Sequence, residues 1–220
     1  TGIGFGPNAV KLYRKIDADQ FLDPSGFHLY DGHDNFSDVV QREAAAQRNI
    51  DSLQEFKQQI ESAGMLVPCV VAGGSFSFAY YARTKGMYGS PGTFIYWDIG
   101  YSTAMPDMPF RWAALILTQV VDRHPDAGTI TTDLGSKGIS SDLPVEERAY
   151  LLDQDKAQFI QQSEEHGVFR IPGKLPRVGD YLLAVPGHIC PTTIRYPGIH
   201  VINTAGEVID YYLHTARDRL

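Results

Sequence analysis

The chain has 220 residues, 43% hydrophobic and 20% charged, the balance of a folded globular protein rather than a disordered one. A formal net charge of -7 and a pI of about 5.4 argue against a nucleic-acid or anionic-membrane surface, since both want a basic face. No apolar run approaches the roughly 18 residues of a membrane span, and Thr1-Gly2-Ile3 does not read as the start of a signal peptide. The two cysteines, Cys69 and Cys190, sit in unlike contexts, so no disulfide framework is indicated and a reducing cytoplasm is expected.

In chain order, residues 8–16 predict a short helix and 26–30 a short strand that ends in the polar turn Asp31-Gly32-His33-Asp34. Asp38 with Gln41 three residues on predicts a helix start. That helix should run to about Ser62, with Val39, Val40, Ala46, Ile50, Leu53, Phe56 and Ile60 on one face and Gly64 as its stop. A buried strand is expected over 66–72, a second helix over 77–84 and a further strand over 93–97. This alternation belongs to an α/β layer or barrel. The texture changes near residue 105. Short β-rich runs follow, at 113–121, 129–133, 168–171, 180–185, 198–202 and 208–212, separated by turn residues, and 146–162 is expected to be partly helical. The second half therefore reads as a β-sandwich or barrel.

Several motifs have residue types suited to chemistry. If Pro186-Gly187-His188-Ile189-Cys190-Pro191 is extended, His188 and Cys190 share one face and present an imidazole and a thiolate to one ion, a donor set that suits zinc. The competing reading is a hydrogen-bonded turn histidine and a small buried cysteine. Gly73-Gly74-Ser75 lies between an apolar strand and a helix, where backbone amides can meet a phosphate; an ordinary capped turn explains it equally well. The amides of Gly92 and Thr93, in Ser90-Pro91-Gly92-Thr93, could face the same anion or simply turn the chain. Tyr30 and His33 lie at the C-terminal end of a strand, where α/β barrels carry their sites; a surface turn rich in Asp and His is the competing reading. Lys137, after a Gly-Ser turn, reads as a solvated surface residue rather than a nucleophile. The roles of Asp98, Tyr101 and His166 stay open.

The succession Tyr30-Asp31-Gly32-His33, Gly73-Gly74-Ser75, Pro91-Gly92-Thr93-Phe94, Asp133-Leu134-Gly135-Ser136-Lys137, Ser163-Glu164-Glu165-His166-Gly167, Pro186-Gly187-His188-Ile189-Cys190-Pro191-Thr192 and Ala216-Arg217-Asp218-Arg219 resembles the D-threonine aldolase and D-serine dehydratase family over nearly the whole chain. The resemblance implies an alanine-racemase-like fold, a TIM-type (β/α)8 barrel holding pyridoxal phosphate followed by a β-rich domain. Residues 1–104 would be the C-terminal part of the barrel and 105–220 the β-rich domain with the metal site.

By the same resemblance, Gly73, Gly74, Ser75, Gly92 and Thr93 would hold the cofactor phosphate and Tyr30 would lie near its ring. His33 would be a catalytic candidate. His188 and Cys190 would bind a divalent metal, with Cys190 favouring zinc over manganese. The implied reaction is cleavage or dehydration of a D-β-hydroxy amino acid by a homodimeric, cytoplasmic lyase. The family's Schiff-base lysine belongs to the first barrel strand, and no lysine here matches it. The chain would then begin just after the fourth strand of an eight-stranded barrel and need the missing N-terminal portion as a partner. An amino-acid racemase of the same fold and a non-catalytic remnant or binding module are the alternatives.

Overall fold

The computed structural model describes residues 2–215. Thr1 and the Ala216-Arg217-Asp218-Arg219 motif lie outside the described residues. The chain divides into two compact units, Thr1–Gly92 and Thr93–Leu220.

The first unit is α/β. Helix α1 (Pro7–Asp17) starts with proline in its first turn, where the missing N–H costs nothing. Strand β1 (Gly26–Leu29) leads to α2 (Val39–Ser62), capped by Asp38, whose carboxylate accepts the Gln41 amide at 2.9 Å. At the other end the Gly64 N–H donates to Glu61 O and the Met65 N–H to Ile60 O, the paired closure of a Schellman motif. Strands β2 (Cys69–Ala72) and β3 (Tyr88–Gly89) complete a three-stranded parallel sheet in the order β1-β2-β3, with α3 (Phe78–Tyr81) between β2 and β3.

The core of this unit joins Ile50, Leu53, Phe56 and Ile60 of α2 to Val70 and Ala72 of β2, with Ala9, Tyr13, Met65, Val67 and Tyr81 around them. Phe27 packs its ring 5.2 Å from that of Phe56. Three expectations fail. Val39 and Val40 are exposed, because the buried face of α2 begins only at Arg42 and Ala45. Leu66 is 77% exposed and the strand begins at Cys69, after Pro68. The second helix is one turn long, and β3, only two residues, carried too little pattern to be seen.

The second unit opens with a 3-10 turn (Thr93–Tyr96) where a strand was expected. The apolar run of 93–97 is real, but Trp97 takes a left-handed φ of 51° that a strand cannot contain. The buried Trp97 ring stacks on Tyr101 at 5.2 Å and packs 4.9 Å from Phe110, which holds that conformation. Helix α4 (Ile99–Ala104) follows.

The strands β4 (Ile116–His124), β5 (Thr129–Thr132), β6 (Ala149–Leu151), β7 (Gln158–Gln162), β8 (Gly167–Arg170) and β9 (Tyr181–Pro186) form a six-stranded antiparallel sheet in the order β6-β9-β4-β5-β8-β7. The sheet curls into a nearly closed barrel. Arg148, just before β6, donates to Gln162 of β7 at 2.8 Å, so the two edge strands come together. Its interior is filled by Val120, Ile130, Leu134, Ile139, Leu151, Phe159, Phe169 and Ala184. Residues 146–162 are therefore not partly helical beyond a 3-10 turn (Val145–Glu147); their alternating burial serves β6 and β7. Helix α5 (Ile189–Thr193) and a hairpin of β10 (Gly198–Ile202) and β11 (Val208–Leu213) complete the unit. Among the described residues no helix is long and apolar enough to cross a membrane.

Candidate functional sites in the two units

In the first unit the parallel register aligns Leu29, Ala72 and Gly89, so Tyr30, Gly73 and Ser90 emerge at the same, C-terminal edge of the sheet. The edge is tightly bonded. Gly73 N–H donates to Leu29 O at 3.0 Å and Ser90 N–H to Ala72 O at 3.1 Å. The Ser90 hydroxyl lies 2.9 Å from His28 Nε2 and donates to Gly73 O at 3.2 Å. Gly73 has φ +105°, and a Cβ there would meet the Tyr81 ring at 2.7 Å, so only glycine suits the position. The Tyr30 ring is exposed and lies over the backbone at Gly32 and Gly74, where a side chain would collide with it or crowd it.

Below this edge a buried carboxylate, Asp31, accepts from the Tyr81 hydroxyl at 2.6 Å. Burial, followed by that bond and the Asp31 charge, pushes the Tyr81 phenol well above its ordinary range. The sequence flagged Asp31 only as part of a polar turn. Its partner lies 50 residues away, a spacing no motif reveals.

The expected phosphate residues thus differ in availability. The Gly73 amide is already engaged by Leu29, while the Gly74 amide makes only a long 3.3 Å bond to Ser77 Oγ. Ser75 lies between them and α3 and is half-buried. Gly92 closes the first unit in open surroundings, and Thr93 begins the second. His33 is well exposed on its turn, 3.8 Å from Asp34.

In the second unit β9 ends at Pro186 and Gly187 turns the chain. A Cβ on Gly187 would collide with the Glu147 carbonyl, so the position admits glycine alone. Its N–H donates to Arg148 O at 2.8 Å and its carbonyl accepts from Gly100 N–H at 3.1 Å. His188 is then the N-cap of α5 and Cys190 lies in the first turn, which corrects the expectation of an extended pair. Pro191 explains the difference. It cannot donate to a strand ladder, and it is tolerated in the first helical turn.

Two aspartates grip this segment. Asp142 Oδ2 lies 2.6 Å from His188 Nδ1, and Ser140 donates its hydroxyl to Asp142 Oδ1. Burial works to raise the Asp142 carboxyl, but the bonds from Ser140 and His188 outweigh it and hold the group below the usual carboxylate range. Asp98 is buried. One of its oxygens caps α4 by accepting Tyr101 N–H at 2.7 Å, and the other accepts Ile189 N–H at 2.8 Å. Its pKa is raised by burial, which these two amides and the His188 charge oppose. Ser140 N–H also donates to Thr192 Oγ1 at 3.1 Å. Cys190 is exposed and a free thiol. Among the described residues no cluster of three histidines, cysteines or carboxylates is placed to hold an ion.

Lys137 is exposed and paired with Glu164 and Glu165, the latter at 2.7 Å. The bond to Glu165 raises its pKa, which keeps the amine protonated and unfit as a nucleophile. His166 closes a tight turn with Ser163, whose hydroxyl accepts its N–H at 3.2 Å.

The family model described as "Putative serine dehydratase domain" matches residues 113–202, the stretch that holds the antiparallel sheet and the Asp142–His188 contact, while Asp98 lies before it. A 3-hydroxy-D-aspartate aldolase of Paracoccus denitrificans (strain Pd 1222) is 28% identical over 197 residues, 83% of this chain and 49% of its own length. The crystal structure of D-threonine aldolase from Filomicrobium marinum superposes with a TM-score of 0.89 at 25% identity, over 99% of this chain and 60% of that one. The chain belongs to the D-threonine aldolase and D-serine dehydratase family.

The fold of this family member is that of alanine-racemase-like proteins, an α/β part with a nearly closed antiparallel barrel. D-threo-3-hydroxyaspartate dehydratase from Delftia sp. HT23 shares it, with a TM-score of 0.71 at 17% identity over 86% of this chain and 55% of that one. Solved variants of a D-threo-3-hydroxyaspartate dehydratase replace a histidine and, two positions on, a cysteine by alanine, the latter in a metal-free form. The family member described here spans about half the length of the aldolase relative it matches.

Proposed function

We propose that the chain is the C-terminal portion of a pyridoxal-phosphate- and metal-dependent lyase acting on D-β-hydroxy amino acids. The observation that carries this reading is His188, fixed through Nδ1 by Asp142, with the free thiol of Cys190 two residues on. The same two residue types at the same spacing were replaced in the dehydratase variants, one of them metal-free. An imidazole nitrogen and a thiolate fit a divalent ion, and the thiolate favours zinc over manganese. The bound metal supplies a Lewis acid for the substrate's β-hydroxyl.

Pyridoxal phosphate supplies an electron sink for charge developing at the substrate's Cα. The C-terminal edge of the parallel sheet fits its phosphate. The amide of Gly74 makes only a long bond, Ser75 brings a hydroxyl, and the Tyr30 ring stands exposed above the same edge. Gly73 keeps that edge in shape. The resemblance alone adds Gly92 and Thr93 as phosphate residues, and His33 is the candidate to move a proton. The Schiff-base lysine is assigned to the part of the longer relatives that this chain does not match, so residues 1–104 would close a barrel begun by an N-terminal portion, and 105–220 would be the β-rich domain. A homodimer in a reducing cytoplasm completes the reading, in keeping with two free thiols.

Intact mass after borohydride reduction, with zinc analysis, tests the proposal. A second polypeptide carrying a phosphopyridoxyl lysine, together with bound zinc that His188→Ala removes, is expected. The chain alone at 24.4 kDa, with zinc content unchanged by His188→Ala, would reject it.

A further inference from the structure

Imidazole has two nitrogens, and a metal ligand must present the one that carries no proton. In a neutral ring, which nitrogen is bare depends on the bond the other makes. Asp142 Oδ2 sits 2.6 Å from His188 Nδ1, and a carboxylate can only accept. In the neutral ring Nδ1 must therefore carry the proton, and Nε2 is left with its lone pair. Among the described residues Nε2 takes no hydrogen bond.

Asp142 is itself held by the Ser140 hydroxyl on its other oxygen. The Ser140 amide is tied to Thr192 Oγ1, and that hydroxyl donates to His188 O at 2.7 Å. The ring, its carboxylate and the helix carrying Cys190 thus form one closed loop of hydrogen bonds within the second unit. Two residues from the chain near 140 set the orientation of a residue 46 positions beyond Asp142.

We propose that Asp142, anchored by Ser140, is the positioning residue of the His188–Cys190 pair: it fixes the ring and its tautomer so that Nε2 is the nitrogen offered to the ion. This rests on the metal reading given above. A carboxylate behind a ligating histidine makes the ring a better donor, and losing such a partner typically weakens metal binding about 10- to 100-fold. Asp142→Ala should show that loss and Ser140→Ala a smaller one, while Asp142→Glu should recover part of it.

The test measures zinc affinity of the purified protein, with its N-terminal portion if it carries one, by competition with a chromophoric chelator. Alongside it, 15N NMR of the metal-free protein reads the His188 tautomer. Zinc lost in His188→Ala and in Cys190→Ala, weakened about 10- to 100-fold in Asp142→Ala, with the wild-type proton on Nδ1, is the expected result. Zinc lost in His188→Ala but bound by Asp142→Ala as in wild type overturns the positioning role alone. Zinc bound by His188→Ala as in wild type overturns the metal reading and this inference with it. If Asp142→Ala does not fold, the wild-type tautomer decides, because a proton on Nε2 contradicts the proposed geometry.

Discussion

The two units build their candidate sites by opposite means. In the first, the residues at the sheet edge follow directly from strand ends: Tyr30 after β1, Gly73 and Gly74 after β2, Ser90 after β3. In the second, the segment of His188 and Cys190 is held by side chains distant in sequence, with Asp142 46 residues away and Asp98 91 residues from Ile189. A parallel sheet assembles a site from what each strand leads into. An antiparallel barrel has no such shared edge, so its site needs long-range anchors.

The largest effects should come from the two cores, which tells whether the units answer separately. Phe159 and Phe169 are fully buried, with rings 4.6 Å apart inside the barrel, and Leu53 is fully buried in the α/β core. Phe159→Ala should cost about 3–5 kcal/mol and Leu53→Ala about 2–5 kcal/mol. Urea unfolding followed by hydrogen exchange would assign each loss. If the units answer separately, each substitution loosens the amides of its own unit first; an equal loss throughout both would show a single cooperative core.

These anchors also explain what the sequence could and could not show. Helix α2, its Asp38 cap and its Gly64 stop rest on local chemistry, and they are where the pattern put them. Most of the antiparallel strands were visible as short β-rich runs. β6 and β7 were not, because a charged 3-10 turn precedes them and polar residues fill their outer faces, which gives residues 146–162 a helical look. The apolar run at 93–97 misled for another reason: burial of Trp97 overrides a strand-like composition. His188 and Cys190 stood out as a short motif, but Asp142 and Ser140 did not. An aspartate in a loop carries no signal until the fold brings it to the histidine.

A smaller effect separates a site anchor from a core anchor by pH. The Tyr81 hydroxyl donates to the buried Asp31, and a bond to a charged group contributes about 1.5–3 kcal/mol. Tyr81→Phe should lose about that amount at neutral pH. Because the folded-state pKa is raised, the contribution is complete below tyrosine's ordinary value of about 10. It is lost as pH rises from there through the folded value, since the unfolded chain ionises first. The difference in stability between wild type and Tyr81→Phe should therefore shrink above about pH 10. A difference that stays constant to higher pH would remove Tyr81 from this role.

The finest distinction lies at Asp98, where one buried carboxylate serves two amides. Asparagine keeps the shape but turns one oxygen into an NH2, which faces an N–H instead of accepting from it. Either Tyr101 or Ile189 then loses its partner inside the protein, at about 1–3 kcal/mol. Burial raises the Asp98 pKa, so the wild-type charge already carries a desolvation cost that asparagine avoids. The net loss from Asp98→Asn should fall toward the lower end, about 1 kcal/mol. Its signature is local rather than global. Hydrogen exchange at the Ile189 or Tyr101 amide should accelerate well beyond what that stability loss allows, while the sheet-edge amides of Gly73 and Ser90 keep their protection. Ile189 and Tyr101 both unchanged would mean that the Gly100–Gly187 bond and Asp142 suffice to hold the His188 segment, and the second unit would then need one long-range side-chain anchor rather than two.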